Sequence, residues 1–144
     1  MPNSFLKWLG SNKEEQENVQ LDIFGGSSNL VRHQRVDGAS IYKDLQKTIK
    51  EKGGTQDVYA QSTEAISEEL FDMGTKELYT ATGGTRHQRH TLPKEAQKAF
   101  IVGETVANHD LKVKDIKGSQ NQKNEQIVDS VRESGQKARK LFPW

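Results

Sequence analysis

The sequence predicts an all-α protein, a small helical domain of four to five short helices with a polar, partly disordered N-terminal flank. Three observations support this fold class. From Ser40 onward, apolar residues recur three and four positions apart, as on one face of a helix. Serine or threonine precedes most of these stripes, where the first free N–H groups of a helix need an acceptor. Glycines stand where the stripes end.

The first three helices of the predicted domain, residues 38–144, are each delimited by such residues. Helix one is predicted to begin at Ser40 and to end at Gly53-Gly54, with the stripe Ile41, Tyr42, Leu45 and Ile49. Helix two is predicted to begin at Ser62 or Thr63 and to stop at Gly74, with the stripe Ile66, Leu70, Phe71 and Met73. Thr75 to Tyr79 then form a short third helix that Gly83-Gly84 ends.

Two longer helices complete the predicted domain. Thr91 is expected to cap the fourth, with Pro93 in the first turn, where a missing N–H costs nothing. Gly103 lies inside this helix and costs about 0.5–1 kcal/mol relative to alanine, so we expect another helix to pack closely against it. The last helix is predicted from about Asn121 to Leu141.

Residues 1–37 are predicted to be a flexible segment that can serve as a docking peptide. Its apolar side chains fall in two short groups, and we expect them to contact a partner: Phe5, Trp8, Leu21, Ile23 and Phe24. The alternation around Leu21 and Ile23 also fits one short strand, but no second strand is readable nearby, which favours docking or disorder.

Composition excludes several classes of protein. Only 32% of the residues are hydrophobic and mean hydropathy is −0.87, so we expect the core to involve only part of the chain. There is no cysteine, which excludes disulfides, thiolate metal sites and cysteine nucleophiles and fits a reducing compartment. No apolar run approaches the roughly 20 residues that span a bilayer. We expect a cytoplasmic protein that needs no membrane and no cofactor.

One tetrapeptide occurs twice, as Arg32-His33-Gln34-Arg35 and as Arg86-His87-Gln88-Arg89. The second copy lies in an acid-free stretch, residues 82–94, between two glycines and a helix start. Glycines let a ligand approach the backbone, and arginine forks match phosphate oxygens. The sequence therefore predicts a phosphate or nucleic-acid site made of Gly83, Gly84, Thr85, Arg86, His87, Arg89, His90, Thr91 and Lys94. The alternative is a solvated connection between two helices.

The spacing of His87 and His90 raises two further hypotheses. Two histidines three apart can share a metal, but Arg86 and Arg89 would repel a divalent cation and no acidic ligand is interleaved, so no metal site is predicted. A histidine base beside an arginine clamp also suits a small nuclease, which stays an alternative.

The C-terminal part of the chain is its basic part. Residues 111–144 carry 8 basic and 4 acidic side chains, a net charge of +4. We expect four of these cations to add non-specific nucleic-acid affinity: Arg132, Lys137, Arg139 and Lys140. Trp144 either folds back on the core and pins the terminus, which we favour, or contacts a partner.

The middle of the chain resembles a known family. Ile66 to Tyr79, followed by Leu92 to Glu104, is similar to a region of DNA-damage-inducible protein D and related phage or plasmid accessory proteins. The resemblance spans about residues 64–105 and concerns scaffold positions, so it assigns no site residue. It implies a non-enzymatic role around DNA repair or mobile elements, through contact with protein–DNA filaments.

Together these observations predict a small non-enzymatic interaction protein that acts on nucleic acid or on a nucleic-acid-bound protein. Two alternatives remain open: a protein–protein adaptor or inhibitor of a host enzyme, and a small histidine-dependent nuclease. Neither DNA nor RNA is favoured by the sequence, and it assigns no oligomeric state.

Overall fold

Six α-helices and one short 3₁₀-helix account for the regular structure of residues 3–11 and 38–144, the part of the chain that the computed structural model describes. The helices are α1 (Ser4–Ser11), α2 (Gly38–Glu51), α3 (Gln56–Phe71), α4 (Thr75–Thr82), α5 (Lys94–Val113) and α6 (Gln120–Arg139), and the 3₁₀-helix is Arg89–Thr91. The all-α prediction is confirmed. The count exceeds the expected four to five because α1 arises from the N-terminal flank.

Most helix boundaries follow the predicted signals, with three exceptions. The prediction that α2 begins at Ser40 was wrong by two residues, because the helix already includes Gly38 and Ala39. Gly83 ends α4 in the left-handed conformation at φ 77°, and Ser119 caps α6 by accepting a hydrogen bond from the Gln122 N–H. The prediction that α3 begins at Ser62 or Thr63 was wrong, because α3 starts at Gln56 and its first turns bury Val58. The prediction that Thr91 caps α5 was also wrong, since the residue before that helix is Pro93.

Helices α2 and α5 lie side by side in the same direction. Gly38 lies against Ile101 at one end, and the Thr48 hydroxyl donates to the Asn108 side chain near the other. Lys52 Nζ then donates to the carbonyls of Lys112 and Lys114, at 3.1 and 2.6 Å. That ammonium group satisfies acceptors which the last turn of α5 leaves free.

Helix α3 runs parallel to α6 and crosses α5 closely. A methyl group at Gly103 of α5 would lie 3.2 Å from Ile66 Cγ2 of α3, and one at Gly135 of α6 would lie 3.0 Å from Glu69 Cβ. The expected close approach at Gly103 is therefore confirmed. Because both glycines sit where α3 touches a neighbouring helix, their backbone cost is offset by tight packing.

An aromatic cluster joins the two chain ends to the core. Phe5 of α1 is fully buried, and its ring centroid lies 4.6 Å from that of Phe71 and 4.8 Å from that of Trp144. The Trp144 indole N–H donates to the Leu70 carbonyl at 2.7 Å. Residues 4–11 thus form a packed helix, which differs from the flexible segment expected there, because Phe5 buries its ring in the domain.

Candidate functional site

The segment between α4 and α5, residues 83–93, is termed the α4–α5 loop. Its entry is a tight turn: Gly84 donates its N–H to the Tyr79 carbonyl at 2.9 Å. A side-chain carbon at Gly84 would lie 2.9 Å from the Thr91 hydroxyl oxygen and 3.1 Å from the Tyr79 ring. Only glycine fits this position without displacing those neighbours.

The Thr91 side chain closes the loop on itself. Its hydroxyl oxygen accepts a hydrogen bond from the Thr85 N–H at 2.8 Å, and the hydroxyl donates to the Gln88 carbonyl at 2.6 Å. The Thr91 N–H also donates to that carbonyl, at 2.9 Å. Thr91 therefore has a role different from the predicted one, because it braces the loop instead of capping α5.

Arg89 anchors the loop in the core. Its guanidinium forms two parallel hydrogen bonds with Glu104 of α5, with Nη1–Oε1 at 2.5 Å and Nη2–Oε2 at 2.9 Å. Its central carbon also lies 4.6 Å from the ring centroids of both Tyr42 and Phe100. The Glu104 side chain is fully buried, whereas that of Arg89 is 29% exposed. Bidentate pairing and two aromatic faces use most of the binding capacity of this cation.

Burial and pairing act in opposite directions on the two ionisable groups. Burial raises the pKa of the Glu104 carboxyl, and the adjacent Arg89 offsets that rise only in part. Burial alone would lower the pKa of Arg89, but the hydrogen bonds and charge of Glu104 raise it overall, so Arg89 stays a cation. The positive charge of Arg89 is therefore paired with Glu104 inside the protein.

The remaining basic side chains of the loop are exposed. Arg86, His87 and His90 are exposed, and no carboxylate among residues 3–11 and 38–144 forms an ion pair with any of them. His87 adopts a left-handed backbone, φ 68°, which is uncommon for a residue with a side chain. Lys94, also exposed, starts α5 directly after the loop. In the second tetrapeptide, Arg86 is therefore exposed, whereas Arg89 is paired with Glu104.

Four C-terminal cations were predicted to contact nucleic acid. Three of them instead contact a carboxylate or a backbone carbonyl of the same domain. Arg132 lies 3.1 Å from Glu69, and Lys137 lies 2.9 Å from Asp110. Arg139 donates to the Leu70 carbonyl at 2.9 Å. The fourth, Lys140, is exposed. These ion pairs reduce the positive charge that α6 can offer to a phosphate backbone.

The predicted partner contacts fall in different places. Phe5 and Trp144 lie in the aromatic cluster, and half-buried Trp8 lies 5.0 Å from Trp144, between ring centroids. Leu21, Ile23, Phe24 and the first tetrapeptide lie outside the described residues. The favoured expectation for Trp144, that it folds back on the core, agrees with its position.

A second feature, absent from the sequence predictions, is a groove of about 360 Å³ between α2 and α5. Its walls include Ile41, Ile101, Val102 and Val106. The apolar spacing predicts a stripe for α5 that consists of Leu92, Ala96, Phe100, Gly103 and Val106 or Ala107. Ile101 and Val102 lie outside that stripe, and this surplus of aliphatic residues is the signal that could have revealed the groove.

Neither a metal-binding cluster nor a membrane-spanning helix is present in the described residues. Residues 3–11 and 38–144 contain no group of three or more histidine, aspartate or glutamate side chains that could hold a metal ion. Within the same ranges, none of the helices combines the length and the apolar character that a membrane span requires.

Comparisons with known proteins give no match: no protein-family model matches the chain, and neither a curated protein nor a solved structure matches it significantly.

Proposed function

We propose that the chain is a non-enzymatic binding protein that acts on nucleic acid or on a nucleic-acid-bound protein, with the α4–α5 loop as its phosphate contact. One observation carries the proposal. The loop is fastened to the core by Arg89, while Arg86, His87 and His90 remain exposed with no carboxylate of the described residues paired to them.

The way the loop is held favours binding of an anion. The turn at Gly84, the hydrogen bonds of Thr91 and the ion pair of Arg89 fix the backbone before any ligand arrives. Ordering a flexible loop costs free energy on binding, and a loop that is already ordered avoids that cost. Arg86 can then donate two parallel hydrogen bonds to one phosphate, and the imidazole N–H groups of His87 and His90 can add further donors.

The resemblance to DNA-damage-inducible protein D points the same way, since it implies contact with protein–DNA filaments. It supports a binding role and does not separate free nucleic acid from a nucleic-acid-bound protein. The nuclease alternative is weaker, because the described residues place no carboxylate in hydrogen-bond contact with His87 or His90 to orient an imidazole base.

Binding to a short labelled duplex DNA or RNA should weaken steeply between about 50 and 200 mM salt, because each phosphate contact releases counterions. Replacing Arg86 and His90 together with alanine should reduce the affinity at low salt by roughly tenfold or more, as a charge-assisted hydrogen bond contributes about 1.5–3 kcal/mol. Fluorescence anisotropy over a salt titration measures both quantities.

Lys50→Ala is the matched control. Lys50 is exposed in the last turn of α2, next to Lys52, which contacts the C-terminal end of α5, whereas the loop precedes the N-terminal end of that helix. The control should leave the affinity close to that of the unchanged protein. Absence of binding to both nucleic acids at low salt would refute direct nucleic-acid contact.

A further inference from the structure

The α2–α5 groove is an aliphatic trough with a polar rim. Ile41 of α2 faces Ile101, Val102 and Val106 of α5, and Asp44 and Thr105 stand on the rim. All four aliphatic side chains are half-buried, so each keeps apolar surface that a ligand could remove from water. The groove shares no residue with the α4–α5 loop, and an inference about it does not depend on the proposed function.

The first residue of α2, Gly38, lies at the edge of this groove. Gly38 is the first described residue after position 11, and a side-chain carbon there would lie 3.4 Å from Ile101 Cγ1. Residues just before Gly38 are therefore connected to the edge of the groove. Any segment upstream of Gly38 is tethered beside it at an effective concentration in the millimolar range when the linker is short and flexible.

We propose that the α2–α5 groove binds residues 19–24 of the same chain, Val19-Gln20-Leu21-Asp22-Ile23-Phe24. These residues lie outside the described part of the structure and bring three large apolar side chains, Leu21, Ile23 and Phe24, within four positions. The linker, residues 25–37, spans up to roughly 45 Å when extended. That reach exceeds the roughly 10 Å that α5 rises from Ile101 to Asn108, so the tether allows any position along the groove.

The match between segment and groove is apolar, not electrostatic. Among the residues that line the groove, Asp44 is the charged one, so the acidic side chains in and before the segment add no attraction there. Leu21, Ile23 and Phe24 can cover the aliphatic walls instead, which would remove apolar surface from water on both sides.

The absence of cysteine from the chain permits a direct cross-linking test. In the full-length protein, the pair Ile23→Cys and Thr105→Cys places one thiol in the segment and one on the exposed rim of the groove. Mild oxidation should give an intramolecular disulfide roughly tenfold faster than in a control pair with Ile23→Cys and Gln61→Cys. Gln61 is exposed on α3, in a different surface depression between α3 and α6.

Two further variants, one in the groove and one in the segment, test whether the cross-link depends on apolar contact. Val106→Asp in the groove, and separately Leu21→Ser with Phe24→Ser in the segment, should each reduce cross-linking to the rate of the control pair. The segment variant changes no residue of the described core. Equal rates for the two cysteine pairs would overturn the proposal. A disulfide-linked dimer that forms faster as protein concentration rises would also overturn it, and would assign the groove to a second copy.

Discussion

Replacing Arg89 with alanine is expected to lower the free energy of unfolding by about 3 kcal/mol, the lower end of the range for breaking a buried ion pair. The loss arises because Glu104 is fully buried and would be left without a partner, so the folded state must either hold an unpaired charge or take up a proton. The lower end applies because the Arg89 side chain is 29% exposed and water can reach part of it. Urea denaturation followed by circular dichroism measures the change.

Removing both charges together is the matched control. In a protein with Arg89→Met and Glu104→Leu, no buried charge remains, and methionine can pack between the rings of Tyr42 and Phe100. We expect most of the lost stability to return, because a buried ion pair can be replaced by apolar residues of similar volume at little net cost. A double variant no more stable than Arg89→Ala would contradict this explanation.

The pH dependence of the Arg89→Ala variant gives a second readout. Burial raises the pKa of Glu104 above its ordinary range, so the folded state holds the proton at pH values where the unfolded chain has released it. Stability from this group therefore falls as pH rises through the interval between the unfolded and the folded pKa. Without Arg89 the folded pKa rises further and the interval extends upward. Acidification should therefore reduce the difference in free energy of unfolding between Arg89→Ala and the unchanged protein. The same difference should not shrink for the double variant Arg89→Ala with Glu104→Gln, which has no carboxyl to protonate at this position.

Replacing Trp144 with alanine is expected to lower the free energy of unfolding by about 3–4 kcal/mol, as for other large aromatic side chains removed from a core. The residue is only 9% exposed, and its ring touches those of Phe5 and Phe142, with centroids 4.8 Å away in each case. The indole N–H is also lost, although the Leu70 carbonyl keeps its hydrogen bond from Arg139. Thermal and chemical denaturation both report the loss.

Two comparisons separate packing from other effects at this end of the chain. Trp144→Phe keeps an aromatic ring in the cluster and should cost clearly less than alanine. Leu141→Ala removes a side chain that is 70% exposed, so it should change stability by no more than about 0.5 kcal/mol. If Trp144→Ala were as mild as Leu141→Ala, the packing of the C-terminus described above would be incorrect.

The sequence was sufficient to predict the helical scaffold where local signals were strong. The apolar spacing of Ile66 and Leu70 and the glycine stop at Gly83 depend on neighbours within one or two turns. The role of Gly103 was also predictable, because a glycine inside a helix needs a packing reason. The start of α3 was missed because Ser62, which was interpreted as a cap, is a buried residue on the core face of the helix between Val58 and Ala65.

The candidate site was only half predictable, and Arg89 shows why. Arg86 and Arg89 occupy equivalent positions in one tetrapeptide, and their local sequence offers the same charge and the same fork. The difference between the two arginines is Glu104, which lies fifteen residues after Arg89 and meets it only when the loop folds back along α5. A buried glutamate in an amphipathic helix looks like any surface glutamate until that packing is known.

The burial of the aromatic residues near the two chain ends also depends on tertiary contacts. Phe5 and Trp8 are separated from the domain by a long polar stretch, which is typical of a docking motif. Their contacts with Trp144 link residues more than a hundred positions apart, beyond the range of any periodicity in the sequence.

The most direct test of the account is the salt dependence of duplex binding in two variants of the repeated tetrapeptide. We predict that Arg86→Ala reduces the slope of log affinity against log salt by about 0.9, the value for one lost phosphate contact. Arg89→Met with Glu104→Leu should keep the slope of the unchanged protein, because Arg89 holds the loop and does not touch the ligand. An equal reduction of this slope in both variants, or a reduction only in the variant that lacks Arg89, would contradict the prediction.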